Sequence, residues 1–322
     1  MQSRKIGVLL GGLSSEREVS PRTGEAVLVA LRERGHDAIP IYVDRDVDVA
    51  LRQENVDVAF IALHGRWGED GCIQGLLEML GIPYTGSDVL ASALAMHKGK
   101  AKELFRLHNL PTPAYYALTA ADLGDVMGVH GDFGFPCVVK PIREGSSVGV
   151  SRATDGDDLV RALGLAVRYD HKLLVERAVD AREIEFSVLG NGDEHTIVSG
   201  PGEIGLPPGA WYDYDNKYLK DVATLQIPAQ LPDELVTRMQ EICLRAFRLT
   251  GCKGLARVDF LVDRTTLEPY LNEINTMPGF TSISMYPKLL DHLGVGYTEV
   301  LTRLCDLALA HHAERQRLSV TR

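Results

Sequence analysis

Apolar residues in the first third of the chain alternate between strand-like runs and helical spacings. Ile6, Val8 and Leu10 lead into the turn Gly11-Gly12, a helix opens at Ser20-Pro21 and closes near Gly35, and residues 38–43 read as the next strand. A short helix at 46–53, a strand over 56–63 and a helix over 71–80 continue the rhythm. Alternation of this kind predicts parallel strands with crossover helices. Residues 1–95 are therefore expected to form an N-terminal α/β layer, Rossmann-like in character, whose ligand loops leave the carboxyl ends of its strands.

The rhythm then changes. A helix over 88–108, strands over 114–118 and 136–142, a Gly/Ser loop, a strand over 148–152, a helix over 155–169 and a strand over 172–176 predict an α+β unit spanning 96–182. The remainder, 183–322, opens with strands at 183–189 and 195–199 and continues into a Gly/Pro/Tyr-rich stretch over 200–221, expected to be one long loop. Next, Leu235, Met239, Ile242, Ala246 and Leu249 mark a helical face that Gly251 closes. A loop of that length in a globular unit points to a lid, and Trp211, Tyr212, Tyr214 and Tyr218 give it an aromatic character.

Composition narrows the function. With 34 Lys and Arg against 44 Asp and Glu, the chain carries a net charge of −10 and has no dense basic run, which excludes a nucleic-acid groove and favours a small anionic ligand held by single cations. The 5 cysteines are odd in number and form no C-x-x-C pair, so reduced core thiols are expected instead of disulfides or a zinc site. No apolar run is long enough for a membrane span, and a cytoplasmic location is expected.

The sharpest chemistry lies in GLARVDFLVD and PYLNEINTMPG. Strand alternation puts Arg257 and Asp259 on one face, and Glu273 and Asn275 are again two apart on the following strand. A hairpin turning at Thr265-Thr266 would set Asp259 level with Glu273. Two carboxylates and an amide beside one guanidinium form a hard-oxygen set suited to magnesium on substrate phosphates. Cross-strand salt bridges on a wet sheet face are the alternative.

Lys140-Pro141 followed by Glu144-Gly145-Ser146-Ser147-Val148-Gly149 is a second constellation, in which backbone N–H groups between glycines can close on phosphate oxygens while Lys140 adds charge. It is not a Walker A loop, and the alternative is an ordinary Gly/Ser turn. The same string satisfies G-x-S-x-G, with Asp259 and His292 following in hydrolase order, so a serine hydrolase is a rival reading. A third constellation pairs Glu16, just past Gly11-Gly12, with His64 in the string HGRWGEDG. Both loops are expected at the ligand rim of the first sheet.

Taken together, LLGGLSSEREVS, ALHGRWGEDG, PYTGSD, VKPIREGSSVG, WYDYDNKYL, CKGLARVDF and NEINTMPGFTSISMYP resemble the D-alanine:D-alanine ligases of the ATP-grasp superfamily, in order and over nearly the whole chain. The resemblance implies an ATP-grasp fold behind the N-terminal parallel-sheet domain, with ATP held between the central and C-terminal units. It implies that Lys98 and Lys140 meet ATP phosphates, that Glu144, Ser147 and Lys217 join the ATP site, and that Glu176 lies at the adenine and Glu183 at the ribose. Asp259, Glu273 and Asn275 would hold two magnesium ions, for which manganese can substitute.

The resemblance further implies that Glu16 and His64 bind the first D-alanine. Ser146 and Tyr218 would link Glu16 to the lid, and Arg257 with the Gly279 N–H would stabilise the oxyanion. Lys217, Ser284 and the Met285 N–H would anchor the second carboxylate. The partners implied are D-alanine, ATP and a second copy of the chain in a homodimer. One position departs from the family pattern: Met96-His97-Lys98 stands where M-D-K is usual. A non-catalytic nucleotide-binding module on the same fold is the remaining alternative.

Overall fold

The first alternation folds as its periodicity predicts. β1 (Lys5–Gly11), α1 (Ser20–Glu33), β2 (Asp37–Val43), α2 (Val47–Glu54), β3 (Val58–Ile61) and α3 (Cys72–Leu80) succeed one another, and the strands form a parallel sheet ordered β2-β1-β3. The computed structural model describes residues 3–125, 130–205 and 224–318. Pro21 sits in the first turn of α1, where its missing N–H has no helical partner to lose. A Cβ on Gly24 would lie 2.7 Å from Leu10 Cδ2, so glycine lets α1 settle directly on β1.

The single helix expected over 88–108 is two helices, α4 (Val89–Met96) and α5 (Lys98–Leu107). The break is at His97, whose backbone (φ −86°, ψ 84°) leaves helical space. Its Nδ1 accepts from the Lys100 N–H at 3.2 Å and so caps α5. The apolar spacing misses this because Ala91, Ala95, Ala101 and Phe105, on either side of the break, all enter one core.

Next come β4 (Tyr115–Thr119), β5 (Cys137–Pro141), β6 (Ser151–Ala153), α6 (Gly156–Ala166) and β7 (Lys172–Arg177), with the strands in an antiparallel sheet ordered β4-β7-β5-β6. Leu159, Leu163 and Ala166 of α6 cover one face of it. The chain then builds a larger antiparallel sheet, β11-β10-β8-β12-β13, from β8 (Ala181–Gly190), β9 (Ile197–Val198), which pairs beside it on β8, β10 (Gly202–Gly205), β11 (Thr224–Gln226), β12 (Gly254–Asp263) and β13 (Pro269–Asn275). The stretch over 200–221 is therefore not one loop, because β10 lies inside it and pairs with β8 and β11.

α7 (Asp233–Thr250) precedes β12 and packs Met239, Ile242 and Phe247 under the larger sheet. Gly251 ends it in the left-handed conformation, as expected. α8 (Met285–His292) and α9 (Tyr297–Gln316) close the chain, and α9 returns Val300, Leu301, Leu304 and Cys305 to the core of the first sheet. Four cysteines are buried, but Cys72 is exposed at the start of α3, so the expected core thiol is not found there. Among the described residues no helix is long and apolar enough to cross a membrane.

Candidate active site

The β12–β13 hairpin sets Asp259 opposite Glu273 and Arg257 opposite Asn275, as the alternation predicts. Arg257 grips Asp259 in a two-pronged pair, with Nε to Oδ1 and Nη2 to Oδ2 both at 2.7 Å, and Asn275 Nδ2 donates to Asp259 Oδ2 at 2.8 Å. β8 lies on the other side of β12 and adds Glu185, in register with Asp259 and 3.2 Å from Arg257 Nε. Burial works against the guanidinium's charge, but Asp259 and Glu185 outweigh it and hold Arg257 well above its ordinary range. The salt-bridge alternative thus describes part of the arrangement, while the Asn275 amide oxygen stays outside the bond its nitrogen makes.

The register shifts by one residue after Asp259, so Asn272 is the extra residue of a bulge. Neighbours 272 and 273 both receive lysines as a result. Lys140 Nζ donates to Asn272 Oδ1 at 3.1 Å, and Lys98 Nζ lies 3.2 Å from Glu273 Oε2. Lys98 also donates to the Glu144 carbonyl at 2.9 Å, which ties the Gly/Ser loop to the hairpin. On the small sheet, Glu176 takes Lys140 at 2.5 Å and Lys102 at 2.8 Å. Burial pushes the Glu176 carboxyl up, but Lys102 and then Lys140 reverse this and hold it at about 2.

The Gly/Ser loop bends through left-handed backbone at Ser146 (φ 50°), Ser147 (φ 58°) and Gly149 (φ 70°). It then runs into β6, which pairs antiparallel with β5. A nucleophile elbow requires a helix at that point. Among the described residues no bond joins Asp259 to His292. The serine-hydrolase reading fails on both counts.

Ser146 Oγ donates to Glu16 Oε2 at 2.5 Å, which brings the loop after β1 onto the Gly/Ser loop. Gly145 leaves room for this approach, since a Cβ there would stand 2.8 Å from Glu16 Oε1 and make that carboxylate shift. Behind Glu16, Ser14 Oγ donates to the His64 carbonyl at 2.6 Å, and His64 Nε2 shares a 3.0 Å bond with Thr23. Glu69 accepts from the Gly65 N–H at 2.7 Å and lies 3.9 Å from His64 Nδ1. Burial first, and then the charge of Glu16, push the Glu69 carboxyl up to about 8, while burial lowers the His64 imidazole. A small cleft opens among Glu69, Lys98, Gly145, Glu273, Asn275 and Thr276, drawing on all three sheets or their loops.

Ser284 and Met285 begin α8, held by the bond of Ser187 Oγ to the Tyr286 carbonyl at 2.9 Å, and Ser187 is in register with Arg257. Ser284 Oγ and Thr281 Oγ1 are 2.9 Å apart, and Gly279 lies against Ser284. Glu183 is two residues from Glu185 on β8, level with Leu261. Tyr218 and Lys217, with the aromatic stretch around them, lie outside the described residues.

The D-ala D-ala ligase C-terminus family model matches residues 104–306, and the D-ala D-ala ligase N-terminus model matches residues 46–87. A D-alanine–D-alanine ligase of Geobacter sulfurreducens is 48% identical over 305 residues, covering 94% of each chain. The chain belongs to the D-alanine–D-alanine ligase family. Among solved structures, the D-alanine–D-alanine ligase of Bacillus anthracis complexed with ATP superposes with a TM-score of 0.82 at 30% identity, over 97% of this chain and 100% of that one. The VanG D-Ala:D-Ser ligase of Enterococcus faecalis superposes with a TM-score of 0.83 at 31% identity, over 95% and 100%. The fold is thus that of the ATP-grasp ligases.

Three residues of this ligase-family site escaped the sequence reading. Glu185 was within reach, since it stands two positions after Glu183 on a predicted strand and therefore on the same face. Lys102 also had a signal, four residues after Lys98 on a predicted helix. Asn272 had none, because a bulge inverts the alternation that would have pointed it away. At the departure from the family pattern, the His97 imidazole nitrogen caps α5, as the Asp88 carboxylate caps α4.

Proposed function

We propose that this chain joins two D-alanine molecules into D-alanyl-D-alanine, with ATP converted to ADP and phosphate, to supply a precursor of peptidoglycan. The observation that carries the reading is the 2.5 Å bond from Ser146 to Glu16. It holds Glu16 against the Gly/Ser loop, and Lys98 ties that loop to the hairpin of Asp259 and Glu273. This joint supports one cleft shared by a carboxyl donor and a polyphosphate.

A carboxylate resists attack by an amine until one of its oxygens becomes a leaving group. Glu16 accepts from the ammonium of the first D-alanine, with His64 behind it, and a carboxylate oxygen of that D-alanine then attacks the γ-phosphorus. ADP leaves and D-alanyl phosphate forms. Lys98 and Lys140 spread the phosphoryl charge, Glu144 and Ser147 border it, Glu176 and Glu183 take the nucleoside end, and Lys217 joins the ATP site. Arg257 and the Gly279 N–H receive the oxyanion when the second amine attacks the acyl carbon. Phosphate departs with the new amide in place. Ser284 and the Met285 N–H hold the second carboxylate, and Tyr218 continues the Glu16–Ser146 link.

Asp259, Glu273 and Asn275 offer carboxylate and amide oxygens only, a donor set that fits magnesium, or manganese in its place. Among the described residues no group of three or more Asp, Glu, His or Cys could hold a metal ion by itself, so phosphate oxygens of ATP would have to supply the remaining ligands. When bound, two such ions draw charge from the transferring phosphoryl group. We take residues 1–95, 96–182 and 183–322 as the working units, a homodimer as the assembly and the cytoplasm as the location.

ADP release measured with D-alanine, L-alanine, D-serine and D-lactate in parallel, with mass analysis of products, tests the reading. D-alanine is expected to give ADP and dipeptide together, and all activity is expected to stop on chelation of divalent metal. ADP release indifferent to D-alanine overturns it.

A further inference from the structure

Lys102 is unusual among the charged groups of the cleft because it is buried to 1% exposure and comes from the opposite body. It stands one turn after Lys98 on α5, whose Ala101 and Phe105 belong to the core of the large sheet. Its partner Glu176 is on β7 of the small sheet, itself 2% exposed, five residues before β8 begins at Ala181. Lys140 comes from the small sheet and reaches back to Asn272 on β13 of the large one. The two lysines thus clasp one carboxylate across the junction of the two sheets.

We propose that Lys102 is a positioning residue for nucleotide polyphosphate: it neutralises Glu176, so that Lys140 can give its charge to phosphate oxygens. The argument is one of charge. Lys102, Lys140 and Glu176 together carry one surplus positive charge in a site shielded from water, where a surplus is felt strongly by an arriving anion. Without Lys102, Glu176 and Lys140 form a closed neutral pair at 2.5 Å, and a phosphate must break that pair to use Lys140. Lys102 itself touches neither phosphate nor metal in this scheme. It acts through the carboxylate it holds.

The inference rests on the assignment of Lys140 to the ATP site, and the experiment separates the two. ADP and adenosine are titrated into the whole protein by calorimetry, in wild type, Lys102→Met and Lys140→Met, with steady-state kinetics beside them. Lys102→Met is expected to weaken ADP about tenfold, to leave adenosine within twofold, and to raise KM for ATP more than it lowers kcat. Lys102→Arg, which keeps the charge, is expected to recover most of the ADP affinity. If Lys140→Met weakens ADP but Lys102→Met weakens ADP and adenosine equally or not at all, the positioning role is overturned while the ATP site stands. If Lys140→Met leaves ADP unchanged, the assignment of Lys140 fails and the proposal with it. Lys102→Gln is made as a second neutral variant, and the same ratio of ADP to adenosine decides the matter if the methionine variant does not fold.

Discussion

The two charged clusters that face the cleft are assembled differently. Glu185, Arg257, Asp259 and Asn275 sit on β8, β12 and β13, three adjacent strands of one sheet, and ladder register alone puts them side by side. Lys102, Lys140, Glu176 and Asn272 come from one helix and three strands in two sheets; β5 and β7 are neighbours in one sheet, but only packing brings Lys102 and Asn272 to Glu176 and Lys140. The first cluster has a surplus carboxylate and the second a surplus ammonium. A cleft with an acidic wall and a basic wall is what a cation-bridged polyphosphate requires. The acidic wall is rigid by construction, whereas the basic wall depends on how the two sheets meet.

Arg257→Met breaks the comparison most severely. It leaves Asp259 and Glu185 as buried carboxylates without their cation, which should cost about 3–5 kcal/mol of stability. Lys102→Met leaves the Glu176–Lys140 pair intact and should cost clearly less. Urea unfolding of both variants checks this. If Lys102→Met unfolds as readily as Arg257→Met, the two walls do not differ in the way described.

Glu273→Gln comes next and separates chemistry from folding. Glu273 keeps 24% of its side chain exposed, so its pair with Lys98 adds little to stability. In the proposed reaction it would face the phosphoryl group through bound cation, and its loss should lower turnover about 100-fold, or about 3 kcal/mol. ADP release with saturating D-alanine and ATP is the measurement. Turnover near wild type with the variant would return Glu273 to the role of a partly exposed salt-bridge partner.

A gentler probe is the carboxyl of Glu69, raised from 4.5 to about 8 by burial and by Glu16. In the folded chain it keeps its proton at pH values where the unfolded chain has lost it. Its stabilising contribution is therefore full below about pH 4.5 and declines as pH rises towards 8. Glu69→Gln, which cannot ionise, should flatten that decline. Unfolding free energies at pH 5 and pH 8 in both proteins check the sign, and parallel slopes would count against a protonated Glu69.

These tests also mark how much of the molecule could be read in advance. Most of the acidic wall was legible because strand alternation and one hairpin fix Arg257, Asp259 and Asn275 without any tertiary information, whereas Glu185 joins them only through the pairing of β8 with β12. The parallel strands of the first sheet, the turn at Thr265-Thr266 and the cap at Gly251 were legible for similar local reasons. The basic wall was legible only in its single members, since nothing along the chain says that α5 meets β7. β10 was hidden between two glycines, and the helix break at His97 was hidden by apolar residues continuing across it.

His97 gives the smallest effect and the clearest reading of a local device. Its neutral Nδ1 accepts from the Lys100 N–H at 3.2 Å, at the start of the helix that carries both Lys98 and Lys102. Protonation fills that nitrogen and ends the cap. Burial lowers the imidazole pKa, with Lys172 and Arg143 adding to the shift and Asp170 opposing it. The contribution of His97 is therefore present above about pH 6.5 and lost as pH falls through the lowered folded value. An aspartate at this position accepts at any pH above the carboxylate range and also suits the positive end of the helix. His97→Asp should then match wild type within about 0.5 kcal/mol at pH 8 and exceed it by about 1 kcal/mol at pH 5, while His97→Ala should lose about 1 kcal/mol at pH 8 only. Urea unfolding of the three proteins at the two pH values decides it: if His97→Ala tracks wild type at both, the imidazole is not the cap, and the break between α4 and α5 needs another cause.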